Sequence, residues 1–239
     1  MKNFTYLFLL SLIVFGLNAC KKKGCTDIDA ANYNAEAKKD DGSCVYTPVI
    51  TLIGASDTTI SVASEWIDPG ATAANLDGAI VQVESSTTVD AGQVGVYTIT
   101  YTATNDNGTT TVVRTVNVIV NQDTWLGGWS VSDNCGGGTG LALNGSPTVI
   151  AGGNEEQILI TDFFSGVTGT YGTAICQVVG DDITIAQASD GAPGGLGDII
   201  YSGFGTMSSN GLSFTITFTW QNTTPITGGS GTCQATYSK

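Results

Sequence analysis

The stretch VYTITYTATNDNGTTTVVRTVNVIV, residues 96–120, decides the fold. Tyr97, Ile99, Tyr101 and Ala103 fall on one side of a period-two pattern, and Thr98, Thr100, Thr102 and Thr104 fall on the other. Strict alternation of this kind is a half-buried antiparallel strand. Asn105-Asp106-Asn107-Gly108 then supplies residues that tolerate positive φ, so a hairpin turn is predicted. A second strand follows over residues 109–120, with Val112, Val116, Val118 and Val120 on one face. Upstream, residues 50–52, 59–63 and 79–83 read as shorter strands separated by Gly, Asp and Pro. Several short strands between Pro48 and Val120 predict a β-sandwich.

The same period returns at the other end of the chain. Leu212, Phe214, Ile216, Phe218 and Trp220 alternate with Ser213, Thr215, Thr217, Thr219 and Gln221, after a turn signal at Asn210-Gly211. Residues 129–132, 141–143, 157–161, 173–179, 183–186, 199–207 and 232–237 read as further strands. About eight strands suffice to close a small antiparallel up-and-down β-barrel. Residues 121–124, Asn-Gln-Asp-Thr, read as a polar linker between the sandwich (48–120) and the barrel (125–239). The expected fold class is all-β.

Charge and composition narrow the chemistry. The 239 residues carry 21 Asp and Glu against 8 Lys and Arg, a formal net charge of −13, and no histidine. Beyond Tyr46 the only cations are Arg114 and Lys239. A basic nucleic-acid footprint is therefore absent. Without histidine there is no Ser-His-Asp or Cys-His catalysis and no His-based metal site.

The N-terminus, MKNFTYLFLLSLIVFGLNA, has a short basic start and an apolar run, as a secretory signal does over residues 1–19. Leu17-Asn18-Ala19-Cys20 resembles the bacterial lipobox. The resemblance implies a diacylglycerol thioether on Cys20 and anchorage of the mature chain in the outer membrane. Several acyl chains hold a protein at a membrane far better than one. In the lineage concerned, surface export is associated with acidic residues just after the lipid cysteine. Lys21-Lys22-Lys23 follow here, so the surface-exposed and periplasm-facing locations are both open.

Six cysteines are present. With Cys20 lipidated, Cys25, Cys44, Cys135, Cys176 and Cys233 remain, and an exported protein is expected to pair them and leave one thiol over. Cys25 and Cys44 bracket one compact segment and form the natural local pair. That segment, GCTDIDAANYNAEAKKDDGSCVY, residues 24–46, resembles a short stalk module of secreted Bacteroidetes proteins. It departs from the pattern at Ile28, where a proline is usual. Asp27, Asp29, Asn32, Asn34, Asp40 and Asp41 are hard oxygen donors that suit either calcium or turns. An EF-hand pattern fails at Ala31 and Asn32.

Two further resemblances cover the rest. Residues 48–54, Trp66-Ile67-Asp68-Pro69-Gly70-Ala71-Thr72-Ala73, Asp77-Gly78, residues 95–103 and Arg114-Thr115-Val116 resemble the bacterial immunoglobulin-like domain named after a pesticidal crystal protein. The resemblance implies a spacer or adhesion module without catalysis. Asp68, Asp77 and Asp106 are open to a junctional calcium or to turns. Gly127-Gly128-Trp129 is similar to the lipocalin Gly-x-Trp signature, but the arginine that usually covers that tryptophan is missing. Cys233-Gln234-Ala235-Thr236-Tyr237 resembles the last strand of the C-terminal β-barrel of Bacteroidetes lipoproteins. First and last strands are neighbours in a closed barrel, which implies a Cys135–Cys233 bridge and leaves Cys176 as a buried thiol.

Trp125, Trp129, Tyr201, Phe204 and Trp220 are open to two readings, ligand platform or core. Tyr201, Phe204 and Trp220 are the expected ligand contacts if a site exists, beside the glycine-rich loops 189–197 and 227–231. Glu155-Glu156 and Asp181-Asp182 are adjacent pairs on turns, unlike the paired carboxylates of a glycosidase. The glycine runs at 136–138 and 194–195 lack the lysine and helix of a phosphate loop, so no cofactor is expected. The function expected is non-catalytic: an Ig-like spacer presents a barrel for adhesion or protein interaction. The alternative is a lipoprotein of a nutrient-uptake system that binds a glycan or small apolar ligand.

Overall fold

A computed structural model describes residues 21–86, 89–136, 141–166, 169–191, 197–225 and 228–239. The signal segment, Cys20 and parts of the glycine-rich runs lie outside the described residues. Contacts gather the chain into two units. Of the described residues, one takes in those of 21–56, 69–86 and 99–114; the other takes in those of 57–68, 89–98 and 115–239.

The central part is a two-sheet, Ig-like arrangement. Strands β1 (Val49–Leu52), β3 (Ala71–Ala74) and β4 (Ile80–Val81) form an antiparallel sheet. Strands β2 (Asp57–Ser61), β7 (Gly108–Ile119), β6 (Gly95–Asn105) and β5 (Val83–Ser86) form the other, in that order, with β2 parallel to β7. The alternation read from the sequence is realised on β6, where Ile99, Tyr101 and Ala103 are buried while Thr98 and Thr104 are exposed. Asp106 and Asn107 make the turn into β7. Two details differ from expectation. β2 ends at Ser61, because Ala63 takes φ 62° and breaks the extended run. β3 was not expected at all, since its Ala-Thr-Ala-Ala run carries no large apolar residue to mark a face.

The buried face of β7 contains a charge. Arg114 is 1% exposed. Its Nε donates to the Tyr101 hydroxyl (3.1 Å), one terminal nitrogen donates to the Ala55 carbonyl (2.8 Å), and the other donates to the carbonyls of Ile53 (2.7 Å) and Gly70 (3.1 Å). The guanidinium, always charged and presenting donors in a planar fork, suits several fixed carbonyls as no lysine does.

The barrel sheet runs in the order β8 (Gly127–Gly128), β10 (Thr148–Ala151), β11 (Gln157–Gly166), β12 (Gly169–Val179), β13 (Asp182–Gly191), β14 (Asp198–Met207), β15 (Ser213–Asn222), β16 (Gly229–Ser238) and β9 (Ser130–Asp133). β8 and β9 are two halves of one segment interrupted at Trp129, so the sheet nearly closes on itself. The Trp129 amide between them and the Val131 amide of β9 donate to the carbonyls of Pro147 and Gly145. From β10 on, every neighbour pair is antiparallel. Three details go beyond or against the sequence reading. Residues 121–124, read as a polar linker, carry most of helix α1 (Gln122–Trp125), with Asn121 and Thr124 bonded reciprocally as a capping box and Trp125 fully buried. Residues 141–143 make only an isolated bridge, Leu143 to Phe164, and β10 was not foreseen.

Two bulges shape the interior. Between Thr161 and Phe164, β11 advances three residues while β12 advances two, and Asp162 sits at φ 49°. Aspartate tolerates this left-handed conformation better than most residues. The extra residue disturbs the inward–outward alternation, so Phe163 and Phe164 are both buried. β13 carries the same three-against-two step between Ile185 and Ala188. Phe163 and Phe164 meet edge to face at 4.9 Å and pack on Tyr201 at 5.2 and 5.3 Å, with Phe218 at 5.7 Å from Phe163. At the other end Phe214 stacks on Tyr237 at 4.3 Å and meets Trp129 and Trp125 at 4.6 and 5.2 Å. Gly203 leaves the room: a Cβ there would lie 3.0 Å from the Phe218 ring.

Arg114→Met removes a buried donor set from the Ile53, Ala55 and Gly70 carbonyls and the Tyr101 hydroxyl, and a buried acceptor that loses its partner costs about 1–3 kcal/mol. Urea unfolding of the full protein should show the sandwich transition weakened by about 3 kcal/mol or more. Arg114→Lys should not restore it, because one ammonium cannot reach acceptors on three segments.

Candidate functional site

The three expected ligand contacts do not converge. On β14, buried and outward residues alternate, and Tyr201 lies inside at 2% exposure. Trp220 is its cross-strand partner on β15 and points to the same interior side, half-buried near the end of the strand. Its ring lies over Gly231, where a Cβ would approach to 3.2 Å. Phe204 is on the opposite side. It stands on the outer wall, 66% exposed, between Thr184 on β13 and Thr217 on β15. Tyr201 is a core residue, Trp220 a half-buried interior residue towards the loop-bearing rim, and Phe204 an outer-wall ring. Of loops 189–197 and 227–231, residues 192–196 and 227 lie outside the described residues.

Trp125 and Trp129 are interior. The Trp129 indole donates to the Trp125 carbonyl at 2.8 Å. Over the Trp129 ring, at 4.8 Å, sits the ammonium of Lys239, which also donates to the Thr124 carbonyl at 2.8 Å. Partial burial holds the Lys239 pKa below the ordinary lysine value. Lys239 directly follows the last strand, a place that was a usable sequence signal for a cation over this ring.

The carboxylates act singly. Glu155 and Glu156 are exposed on the turn before β11, Asp181 on the turn between β12 and β13, and Asp182 at the start of β13. Glu155, Glu156 and Asp123 line an open cleft of about 460 Å³ with Gln122 and Val178–Gly180, and its lining holds no cation. In the 24–46 segment four of the expected oxygen donors make turns. Asp27, Asn34, Asp40 and Asp41 each accept the amide two residues ahead, and Asn32 bonds both ways across to Ser43 and Val45. The Tyr46 hydroxyl donates to Asp27 at 2.6 Å and lowers its pKa. Lys22 and Glu36 form an exposed ion pair. Asp77 accepts the Ala79 amide, and Asp106 is exposed at its hairpin tip. Among the described residues, no three His, Cys, Asp or Glu side chains group closely enough to share a metal.

Two disulfides are formed, Cys25–Cys44 and Cys135–Cys233. The second joins the segment just past β9 to β16, which pair in the sheet. Cys176 is free and buried on the inner side of β12, and burial pushes its thiol from 9.0 up to about 12. Among the described residues, no helix is long and apolar enough to cross a membrane.

Comparison with known proteins supports the central segment. A family model described as "Bacterial surface protein, Ig-like domain" matches residues 50–118, so this part of the chain is an Ig-like domain of bacterial surface proteins. Among solved structures, a lipoprotein from Bacteroides thetaiotaomicron is similar over 80% of this chain and 100% of its own, at 13% identity and TM-score 0.30. The CBM51-2 and INT domains of Clostridium perfringens ZmpB are similar over 79% of this chain and 43% of theirs, at 15% identity and TM-score 0.23. No curated protein matches the sequence.

Three buried groups tie the barrel to alkaline pH. Burial raises Cys176 from 9.0 and Tyr201 from 10.0, both to about 12, and raises Tyr237 as well. Each stays protonated in the folded state after its unfolded counterpart has ionised. The folded state then holds more protons, so stability falls as pH rises. The urea midpoint of the barrel transition should be level from pH 7 to 9 and decline from 9 to 12. Cys176→Ala should reduce the decline at the lower end of that window, where the thiol begins to ionise first.

Proposed function

We propose that this chain is a non-catalytic surface lipoprotein. In this reading residues 1–19 are removed, Cys20 carries the lipid, and the disulfide-closed segment to residue 47 serves as a stalk. The Ig-like domain over 48–120 is a spacer, and the barrel over 125–239 is the part displayed for adhesion. The barrel makes its contacts through the outer wall and rim.

One observation carries the choice between wall and lumen: the described interior positions of the barrel are filled by aromatic and aliphatic side chains. A barrel that holds a small apolar ligand needs an apolar cavity of several hundred Å³. Here Phe163, Phe164, Tyr201 and Phe218 occupy one half of the interior, and Trp125, Trp129, Phe214 and Tyr237 the other. Eight-stranded barrels are narrow enough for side chains to fill them. The family match of the central domain supports location at the cell surface.

Anchorage and display are tested together. Cys20→Ala should move the protein from the membrane to the soluble fraction and abolish labelling by a radioactive fatty acid. An antibody raised against the barrel should bind intact cells expressing the wild type, and external protease should remove that signal. Fatty-acid labelling that survives in Cys20→Ala, or barrel epitopes reached only after lysis, would refute the anchor or the display respectively.

A further inference from the structure

We propose that the outer wall of the barrel around Phe204 binds a neutral polysaccharide chain, with Phe204 as the ring on which a pyranose stacks. The proposal rests on the reading of the barrel as an adhesive surface and names the partner class.

The register aligns one row of outward side chains across five neighbouring strands: Gln177, Thr184, Phe204, Thr217 and Gln234, each the direct cross-strand partner of the next. Phe204 stands in the middle. Both of its lateral neighbours are threonines, too short to cover the ring, which explains its 66% exposure. An exposed phenylalanine in the centre of a strand, on a rigid sheet, is not needed for the fold: the interior of β14 is supplied by Ile199, Tyr201 and Met207. The rows on either side, where β14, β15 and β16 pair, carry only serine and threonine outward.

The chemistry of this wall selects among partners. Around the ring face of Phe204 the row offers hydroxyls and amides, which are both donors and acceptors, with the exposed Ile175 and Val179 of β12 and Asp182 of β13 at its margin. A pyranose presents the complement: a CH-bearing face rimmed by hydroxyls. No carboxylate lies in the row, although the chain carries 21 acidic residues. No cation lies in it either. Of the two cations beyond Tyr46, Arg114 is buried and Lys239 covers Trp129. An acidic glycan would therefore meet a net-negative protein with no counter-charge at the wall. A protein partner is less suited, because interface centres gather several aromatic, Met and Arg side chains, and this wall has one. The row spans four inter-strand gaps, about 19 Å. That exceeds one sugar ring, so the fitting ligand is an extended chain, not a monosaccharide.

The test uses the soluble full mature chain (Cys20→Ala) in native gels containing neutral glucan, mannan, xylan or galactan, with polygalacturonate as the acidic control. At least one neutral polymer should retard the protein. Phe204→Ala should weaken that retardation tenfold or more with an unchanged melting temperature, and Phe204→Trp should keep it. Tyr201→Phe, which leaves the wall untouched, should bind as the wild type does. Retardation by none of the neutral polymers, by polygalacturonate equally, or by Phe204→Ala undiminished overturns the proposal. If barrel antibody still labels intact cells in those cases, surface display stands and only the glycan assignment falls.

Discussion

The sandwich depends on a single buried guanidinium. Its two sheets are small: β1, β3, β4 and β5 have two to four residues each, and the buried residues are mainly alanine, valine, isoleucine and tyrosine. Arg114 gathers three carbonyls of the irregular connections, from Ile53, Ala55 and Gly70, together with the Tyr101 hydroxyl. Desolvating a guanidinium is costly, and the cost is offset only when nearly every donor is used. Here the fork reaches sequence positions 44 to 61 residues away, so one side chain fixes the loops on which the family's Asp-Pro-Gly motif lies.

The barrel solves a different problem. Closing a sheet of this size leaves a narrow interior that alternation fills with one residue in two. The bulges of β11 and β13 alter that supply. By placing Phe163 and Phe164 both inside, the β11 bulge fills the half of the barrel near the glycine-rich connections, where a ligand mouth would otherwise be expected. The same feature that stabilises the core thus fills that part of the described interior with aromatic rings.

How much of this was legible follows from which interactions are periodic. The long strands β6, β7, β14 and β15 alternate cleanly, so their faces and turns could be read directly. β3 and β10 could not, because four residues hold too few alternations to stand above their surroundings. Helix α1 was hidden in a polar tetrapeptide; its capping box and the burial of Trp125 depend on contacts outside the segment. Among the aromatic candidates, the sequence placed Tyr201 and Phe204 three residues apart on one strand. In a strand that odd spacing puts them on opposite faces, so the parity already implied that both could not line one site. What no pattern contained was the bulge in β11, since an aspartate in left-handed conformation looks in sequence like any other acidic residue.

The fate of the two cations beyond residue 46 links fold to function. A chain with so few basic groups would ordinarily keep them at the surface, where they moderate the net negative field. This one spends Arg114 on carbonyls inside the sandwich and rests Lys239 on Trp129, where its ammonium also bonds the Thr124 carbonyl. Lys239 thereby covers the Trp129 ring as a point charge on a flexible stem. The consequence is a barrel wall of hydroxyls and amides interrupted by the exposed Ile175, Val179 and Phe204 and by Asp182 at the start of β13. Under the proposal of a wall-bound glycan, recognition rests on short-range stacking and hydrogen bonding, which salt screens weakly.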